Sequence, residues 1–256
     1  MIVETGKRGA DKKIEAEIVD FKPDCVVAAG GDGTVNLVGK LLINSHIALG
    51  IIPLGSSNAV AKNLNIPLSI PESLHNLIHF HTKEIDTLNI NDNICLHLCD
   101  LGFNANLIKR AHKSKFRGMF TYGISLFQEL FTFEFFKYKV VTQTEELESK
   151  AFAITITNMQ LYGNRAAINP KGKVDDGKFE ICIFKPFPKL AMIKMFYQLF
   201  RHTIHYSKYS IFIRAKEATL YNQGKESVHI DGEPVNLKRE INIKIVPKSL
   251  KVVVPE

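Results

Sequence analysis

Two apolar runs, each followed by a glycine-containing turn and then a helical pattern, most constrain how this 256-residue chain can fold. The first reads VVAAGGDGTVN over residues 26–36, and the second reads IPLGSSNAVAKNL over residues 52–64. Strands that alternate with helices favour a parallel sheet with helices on both faces. Because ligands of such sheets bind beyond the carboxyl ends of the strands, both turns are predicted to lie at a ligand-binding edge.

The pattern changes after about Lys83, where short β-rich runs separated by Gly, Asn, Asp and Lys turns replace the alternation. Many short strands indicate an antiparallel sandwich or a barrel-like domain. Helical patterns interrupt it at residues 117–132 and 189–203. We therefore predict an α/β nucleotide-binding domain over residues 1–88 and a β-rich, sandwich-like domain over 89–247. The last strand, 248–256, is a candidate to return to the first domain.

The charge of the chain points to anionic partners. The formal net charge is +7 and the isoelectric point about 9.1, which suits a nucleotide, a phospholipid surface or a nucleic acid. No nucleic-acid-binding motif accompanies the charge, so no nucleic acid partner is predicted. No apolar run approaches the roughly 20 residues of a spanning helix, and the polar start is unlike a signal peptide. A cytoplasmic location is expected, and a dimer is compatible with the sequence.

The first turn has the composition of a phosphate-binding loop. Gly30, Gly31 and Gly33 allow backbone N–H groups to approach a phosphate closely, and a helix starting near Val35 adds its positive end. Asp32 then suits a metal-phosphate contact or a general base. The alternative is an ordinary tight turn whose Asp caps the helix.

The second turn leaves the same two interpretations open. Gly55 and Ser56 precede a helix, as in a phosphate-binding turn, while Ser57 or Asn58 could equally be an ordinary N-cap.

Both turns, GGDGTVN and PLGSSNAVAKNL, resemble the catalytic domain shared by diacylglycerol kinases, sphingosine kinases and bacterial lipid kinases. Its patterns are GGDGTxNE followed by PxGTxND or GSGNALA. The later segments resemble the same family in the same order: DLGFNAN (100–106), FRGMFTYG (116–123), NMQLYGNRAAINPKGKVDDGKFEI (158–181), VHIDGEPV (228–235) and INIKIVPKSLKVVVP (241–255). The similarity covers nearly the whole chain.

The resemblance implies a fold like that of NAD kinases and diacylglycerol kinases, and an ATP-dependent transfer of the γ-phosphate to a lipid hydroxyl. Glu233 of the DGE motif is implied as the proton acceptor, with Asp231 and Asp32 as the further catalytic carboxylates. The residues implied to contact ATP are Thr5, Gly30, Gly31, Asp32, Gly33, Thr34, Asn36, Gly55, Ser56 and Asn58. From the residues alone, the Asp-Gly of DGE favours a hairpin turn.

The resemblance also implies Mg²⁺ at the VDDGKF segment. Its ligands would be the Asp176 side chain and the backbone carbonyls of Lys173 and Lys178, oxygen donors of the kind that hard cations prefer. The alternatives are an Asp-Gly turn without metal and Asp175 as the ligand.

Peripheral contact with an anionic membrane is expected of an enzyme that phosphorylates lipids without a spanning helix. The segment FPKLAMIKMFYQLFRHTIHYSKY, residues 187–209, is apolar on one side and basic in between, and Lys and Arg residues of 109–117 add to the charge. The alternative is an ordinary helix that packs on the core through its apolar side.

Three departures from the family pattern keep other functions open. The chain starts after the strand, Asn-Pro-x-x-Gly loop and helix that usually open the family, Leu37 replaces the usual Glu, and Ala59 replaces the Asp of some diacylglycerol kinases. One alternative is a non-catalytic nucleotide- or lipid-binding protein. The other is an NAD kinase, because NAD kinases also contain GGDG. The GTPTGSTAY-like segment of NAD kinases is absent from the sequence.

Overall fold

The computed structural model describes residues 2–5, 9–102, 134–163, 165–224 and 226–256. The chain forms two compact units. The first comprises Met1–Thr87, Val174–Gly177 and Val246–Glu256, and the second comprises Leu88–Lys173 and Lys178–Ile245. The helical pattern at 117–132, the basic residues of 109–117 and most of DLGFNAN lie outside the described residues.

The first unit is an α/β layer structure. Its helices are α1 (Ala10–Phe21), α2 (Asp32–Leu41), α3 (Ala59–Asn63) and α4 (Ile70–His79). Strand β1 (Cys25–Gly30) pairs in parallel with β2 (Ala48–Pro53), in register from Cys25 opposite Ala48 to Gly30 opposite Pro53. Both strands therefore end at the same edge, and each is followed by one of the two glycine-containing turns.

The C-terminal strand completes this sheet. Strand β16 (Glu240–Val253) is long, and its final part lies parallel to β2 with Val252 opposite Leu49. Strand β3 (Thr82–Ile90) also pairs with β16. The last residues of the chain are thus part of the first unit.

The second unit contains two antiparallel sheets. The first sheet contains the start of β16 together with β6 (Phe136–Thr142), β7 (Glu146–Ala151) and β13 (Glu217–Asn222). The end of β3 pairs with the short strand β4 (Asn93–Cys95). The other sheet has the order β12-β11-β8-β5-β14-β15. Its strands are β5 (Leu98–Gly102), β8 (Ala153–Thr157), β11 (Phe179–Phe184), β12 (Ser210–Ala215), β14 (Val228–Ile230) and β15 (Glu233–Val235). A small pair joins β9 (Leu161–Gly163) to β10 (Ala166–Ala167).

Alternate residues of the two sheets share one core, as in a sandwich. Tyr138 and Leu220 of one sheet and Ile156 and Ile181 of the other belong to the same buried cluster. The opposite face of β11 is buried as well, because Cys182 packs in a second cluster with residues of helix α5 (Ala191–Phe200). Burial on both faces explains why ICIF, residues 181–184 of this strand, is a continuous apolar run. The prediction of an α/β domain followed by a β-rich sandwich is confirmed.

Several local predictions were wrong. The short run Ile2–Glu4 at the start of the sequence predicts a strand, but residues 2–5 form no regular element. The run NICLHLCDLG, residues 93–102, predicts one strand but forms two, β4 and β5. The runs INIKIVP and LKVVVP near the end of the sequence predict two strands, but both belong to the single strand β16. The sequence pattern missed the mostly exposed β7, because only burial of one face produces alternation. None of the helices in the described ranges is long and apolar enough to cross a membrane.

Candidate functional site

The first glycine-containing turn is sterically tight. Helix α2 begins at Asp32, not near Val35, with Gly31 as its N-cap residue in an extended conformation and no side-chain cap bond. Asp32 is therefore inside the first turn of the helix, so the alternative interpretation, in which its side chain caps the helix, is wrong. A Cβ atom on Gly30 would lie 2.4 Å from Oγ1 of Thr34, which explains the glycine there.

The second turn is closed by the side chain of Asn58. Its Oδ1 accepts a hydrogen bond from the Gly55 N–H at 2.8 Å, and its Nδ2 donates to the Gly55 carbonyl at 2.9 Å. Asn58 precedes α3 in the left-handed conformation, with φ at 51°. Because its side chain bonds backward to Gly55, it makes no cap bond to α3, and the ordinary N-cap interpretation is wrong for this residue.

The two turns contact each other through their glycines. A Cβ atom on Gly55 would lie 2.5 Å from the Gly31 Cα, and one on Gly31 would lie 3.2 Å from the Gly55 Cα. Asp32 adds a link, because its Oδ1 accepts a hydrogen bond from the Val60 N–H at 3.3 Å. Gly31 and Gly55 are therefore required for packing, whatever the turns bind.

Gly33 differs from these glycines because it is exposed and no atom lies within 4 Å of where its Cβ would be. It occupies the first turn of α2, before Thr34, whose N–H donates to the Gly31 carbonyl at 3.0 Å. The first N–H groups of a helix carry partial positive charge. Packing thus gives no reason for a glycine here. Open backbone at a helix N-terminus is the geometry that accepts an anionic group.

The remaining residues predicted to bind nucleotide lie in the same unit. Thr34 is half-buried and Asn36 is buried, both on α2, while Ser56 is exposed in the second turn. Thr5 is half-buried in the irregular segment before α1. The fold places the two turns together at one edge of the sheet, as the order of strands and turns predicted.

Glu233 follows a two-residue hairpin turn. Asp231 and Gly232 both have positive φ, 52° and 86°, and Ile230 pairs with Glu233 across the turn. Positive φ at both central positions is the type I′ turn, whose twist matches that of paired strands. The hairpin interpretation and the functional one are thus compatible: the turn presents the exposed carboxylate of Glu233.

The carboxylate of Asp231 binds backbone of its own unit. Oδ2 accepts from the Leu96 N–H at 3.0 Å, and Oδ1 accepts from the His97 and Leu98 N–H groups at 2.9 and 3.2 Å. The Asp231 N–H donates to the Leu98 carbonyl at 2.9 Å. These bonds fasten the hairpin to the segment between β4 and β5, so the geometry gives Asp231 a positioning role.

Behind the same turn lies a buried acid–imidazole pair that the sequence analysis missed. Asp100 of β5 and His229 of β14 are directly opposite each other, with 3.0 Å between Oδ2 and Nε2. The hydroxyl of Thr155 donates to Oδ1 of Asp100. The Gly232 N–H donates to Nδ1 of His229 at 3.3 Å. A single Asp inside the apolar run NICLHLCDLG was the available signal.

The negative charge of these carboxylates acts on the thiol beside them. Burial raises the pKa of Cys99 well above its ordinary value, and the neighbouring carboxylates of Asp100 and Asp231 raise it further. Cys99 is accordingly a buried free thiol and no candidate nucleophile.

The loop predicted to bind Mg²⁺ is held by a second buried carboxylate, Asp86, which the sequence analysis also missed. Its Oδ2 accepts from the Gly177 N–H at 2.6 Å, its Oδ1 accepts from the Lys248 N–H at 2.8 Å, and its own N–H donates to the Val174 carbonyl at 2.6 Å. Asp175 pairs with Lys83, with 2.8 Å between Oδ2 and Nζ. The carboxylate of Asp175 is therefore part of an exposed ion pair.

Comparisons with known proteins give the family. The model of the diacylglycerol kinase catalytic domain matches residues 1–90, and that of the YegS C-terminal NAD kinase beta sandwich-like domain matches residues 98–254. A diacylglycerol kinase of Staphylococcus haemolyticus is 26% identical over 262 residues, covering 95% of this chain and 78% of the relative. An uncharacterized protein of Synechocystis is 28% identical over 90% of this chain, which spans only 54% of that relative.

Solved structures are similar in fold. A diacylglycerol kinase structure from Bacillus anthracis matches with a TM-score of 0.75 and 19% identity, over 98% of this chain and 83% of that one. An NAD kinase from Archaeoglobus fulgidus in complex with ATP matches with a TM-score of 0.52 and 14% identity, over 96% and 90%. With both family models matched in order along the sequence, the chain belongs to the family of diacylglycerol kinase-like lipid kinases.

Proposed function

We propose that this chain is an ATP- and Mg²⁺-dependent kinase that phosphorylates the hydroxyl of diacylglycerol or a related lipid, in phospholipid metabolism. The observation that carries the proposal is the pair of touching turns, which leaves the backbone open at Gly33 and at the start of α2. Membership of the lipid kinase family supports the reaction class.

In the proposed reaction, the lipid hydroxyl attacks the γ-phosphorus of ATP. The new bond joins the lipid oxygen to phosphorus, the bond from phosphorus to the β–γ bridging oxygen breaks, and ADP leaves. The exposed Glu233 carboxylate accepts the hydroxyl proton, while Asp231 keeps the turn beneath it in place. The backbone of Gly30–Asn36 binds the phosphates, supported by the Gly55–Asn58 turn and by Thr5.

Mg²⁺ would neutralise charge on the transferring phosphoryl group and order the Asp176 loop. Asp32 is the candidate for the nucleotide-bound ion, and Asp176 with the carbonyls of Lys173 and Lys178 for the second. No group of three or more His, Cys, Asp or Glu side chains suited to a metal occurs among the described residues. The proposed set remains compatible with the chain, because it uses one carboxylate and two backbone oxygens.

Transfer of the γ-phosphate to lipids in mixed micelles tests the proposal. The acceptors are diacylglycerol, monoacylglycerol, phosphatidylglycerol, sphingosine and ceramide, with NAD as the non-lipid acceptor. We expect one lipid class to be labelled, and labelling to be lost in Asp32→Asn. Labelling of NAD alone would establish the NAD kinase alternative. ATP binding without transfer to any acceptor would establish a non-catalytic nucleotide-binding protein.

Replacing Gly33 by Ala separates ligand binding from packing. We expect the free energy of unfolding to stay equal or rise by up to about 1 kcal/mol, because Ala favours the helix and meets no atom. We expect the affinity for ATP to fall by about tenfold or more, because a methyl group would displace the phosphate by about an ångström. Calorimetric titration with ATP and urea unfolding measure the two quantities.

Gly55→Ala is the matched control for Gly33→Ala. Its new methyl would lie 2.5 Å from the Gly31 Cα, so we expect a loss of about 1–3 kcal/mol in stability. Equal ATP affinity of Gly33→Ala and the parent would contradict phosphate binding at this turn.

We further propose that the protein works in the cytoplasm and reaches its lipid by peripheral contact with an anionic membrane. The net charge of +7 supports this, because cationic proteins are attracted to anionic lipid surfaces.

A further inference from the structure

Helix α5 presents apolar side chains where a surface helix normally presents polar ones. Its inner face is occupied: Met195 is buried, and Ala191, Met192 and Leu199 pack against the second core cluster. Its outer face carries a stripe of apolar residues with exposed fractions of 84, 74, 66 and 54%. In order, these are Leu190, Ile193, Tyr197 and Phe200.

The spacing of these four residues makes the stripe continuous. Steps of three, four and three residues keep side chains on one face of an α-helix, and Phe196 (38% exposed) lies at its margin. Tyr206 adds an exposed ring in the 3₁₀ turn that follows the helix. The core-packing interpretation thus accounts only for the inner face.

Positive charge surrounds the stripe. Lys194 and Arg201 are exposed at its margin, and Lys189 and Lys208 are exposed beyond its two ends. From residue 181 to residue 216 the sequence contains no Asp or Glu. Apolar side chains flanked by cations suit the surface of an anionic bilayer, where the rings and aliphatic chains enter the acyl boundary and the cations meet the headgroups.

Aromatic side chains pack beneath helix α5 and hold it against the second unit. Beneath it, Phe187 is buried and packs edge-on against Phe152, with 4.9 Å between ring centroids. The Phe187 ring is tilted relative to that of Tyr209, with 6.1 Å between centroids. A second copy of the chain suits the stripe less well, because two such faces in contact would bring cations of the same sign together.

Because the proposed acceptor is a bilayer lipid, we propose that the outer face of α5 is the docking surface for an anionic phospholipid bilayer, an assignment that rests on the proposed function. The outer face of α5 would then be the part of the molecule that contacts the membrane.

Flotation with vesicles tests the docking surface without requiring activity. The vesicles contain phosphatidylcholine alone or with 30% phosphatidylglycerol, at low and high salt. We expect binding only to the anionic vesicles, weaker at high salt, and reduced about tenfold or more by Ile193→Glu or Tyr197→Glu. The matched control is Ile78→Glu, an equally exposed apolar residue (80%) on α4 of the first unit, which should bind like the parent.

Other outcomes overturn one proposal or the other. Equal vesicle binding by the parent and both α5 variants removes the docking surface. Self-association that Ile193→Glu abolishes, without vesicle binding, assigns the face to a second copy. Vesicle binding that depends on α5 in a protein that phosphorylates no lipid keeps the docking surface and removes the proposed function.

A separate observation concerns the buried pair behind the Glu233 turn. The Nδ1 atom of His229 accepts from the Gly232 N–H, so the ring proton lies on Nε2 and is donated to Asp100. The pair is nearly inaccessible, with side-chain exposures of 2 and 0%. The His229 ring thus accepts the Gly232 N–H of the tight turn, and the buried Asp100 carboxylate holds that ring in place.

We infer that His229 is a positioning residue for Glu233, acting through the Gly232 N–H, with Asp100 fixing its tautomer; this also rests on the proposed function. His229→Gln tests it, because its amide can still donate to Asp100 but places no acceptor at the Nδ1 position. We expect a decrease in kcat of about tenfold with the KM for ATP unchanged. Amide exchange at Gly232 should become faster, a readout that needs no activity.

A double-mutant cycle with Glu233→Gln distinguishes positioning from general damage. If His229 acts through Glu233, adding His229→Gln to Glu233→Gln causes little further loss of kcat. An additive tenfold loss, or unchanged exchange at Gly232, would overturn the inference. If the parent phosphorylates no lipid, the proposed function fails, while the exchange measurement still decides whether His229 holds the turn.

Discussion

Glu233→Gln is expected to lower kcat for lipid phosphorylation by about 10²–10⁴-fold, the usual contribution of general base catalysis. Gln has the same shape but cannot accept the proton of the lipid hydroxyl. Because Glu233 is exposed and follows the turn, the change leaves the contacts of Asp231 and His229 in place. We therefore expect the urea midpoint and the affinity for ATP to equal those of the parent.

The control for Glu233→Gln is Glu145→Gln. Glu145 is an exposed carboxylate of the same unit, and its backbone carbonyl, not its side chain, accepts the bonds that close its turn. Steady-state kinetics with the labelled lipid compares the three proteins. A Glu233→Gln enzyme within threefold of the parent would exclude this carboxylate as the proton acceptor.

Asp231→Asn is expected to lower both stability and activity. The carboxylate accepts three backbone N–H groups, and an amide replaces one acceptor oxygen with an NH₂ group that would face donors. Hydrogen bonds to a charged acceptor contribute about 1.5–3 kcal/mol each, and less where solvent reaches them. We expect a loss of about 2–4 kcal/mol, measured by urea unfolding followed by circular dichroism.

Asp175→Asn serves as the control for Asp231→Asn. Asp175 forms an exposed ion pair with Lys83, and such pairs contribute about 0–1 kcal/mol. The two variants also separate the roles open to Asp231. If Asp231→Asn unfolds like the parent but loses activity, the carboxylate acts in the reaction directly and not by positioning the turn.

Much of the architecture could be predicted from the sequence because the patterns are local. Alternating strands and helices predicted the parallel β1–β2 pair, and short β-rich runs predicted the sandwich. The glycine turns and the Asp-Gly hairpin were predictable too, since their backbone conformations demand particular residues. The motif order was sufficient to identify the family.

The tertiary structure alone distinguished residues of similar appearance in the sequence. Gly31 and Gly33 are both glycines of one motif, but only the first is required for packing, because another turn lies against it. Asp231 and Glu233 belong to one tripeptide, but only Asp231 meets three backbone N–H groups. These contacts join residues that are far apart in sequence, 24 positions for Gly31 and Gly55 and more than a hundred for Asp231 and its partners, so no local pattern encodes them.

Tertiary packing also determines which side chains are buried in helix α5 and in the acid–imidazole pair. The apolar spacing of 189–203 predicted a helix correctly, but it could not tell which apolar residues meet the core and which remain exposed. Asp100 and His229 become a buried pair only because β5 and β14 are neighbours, although they are 129 positions apart in sequence. Sequence determines which conformations each segment can adopt, whereas packing determines which side chains lose water and therefore which partners they must have.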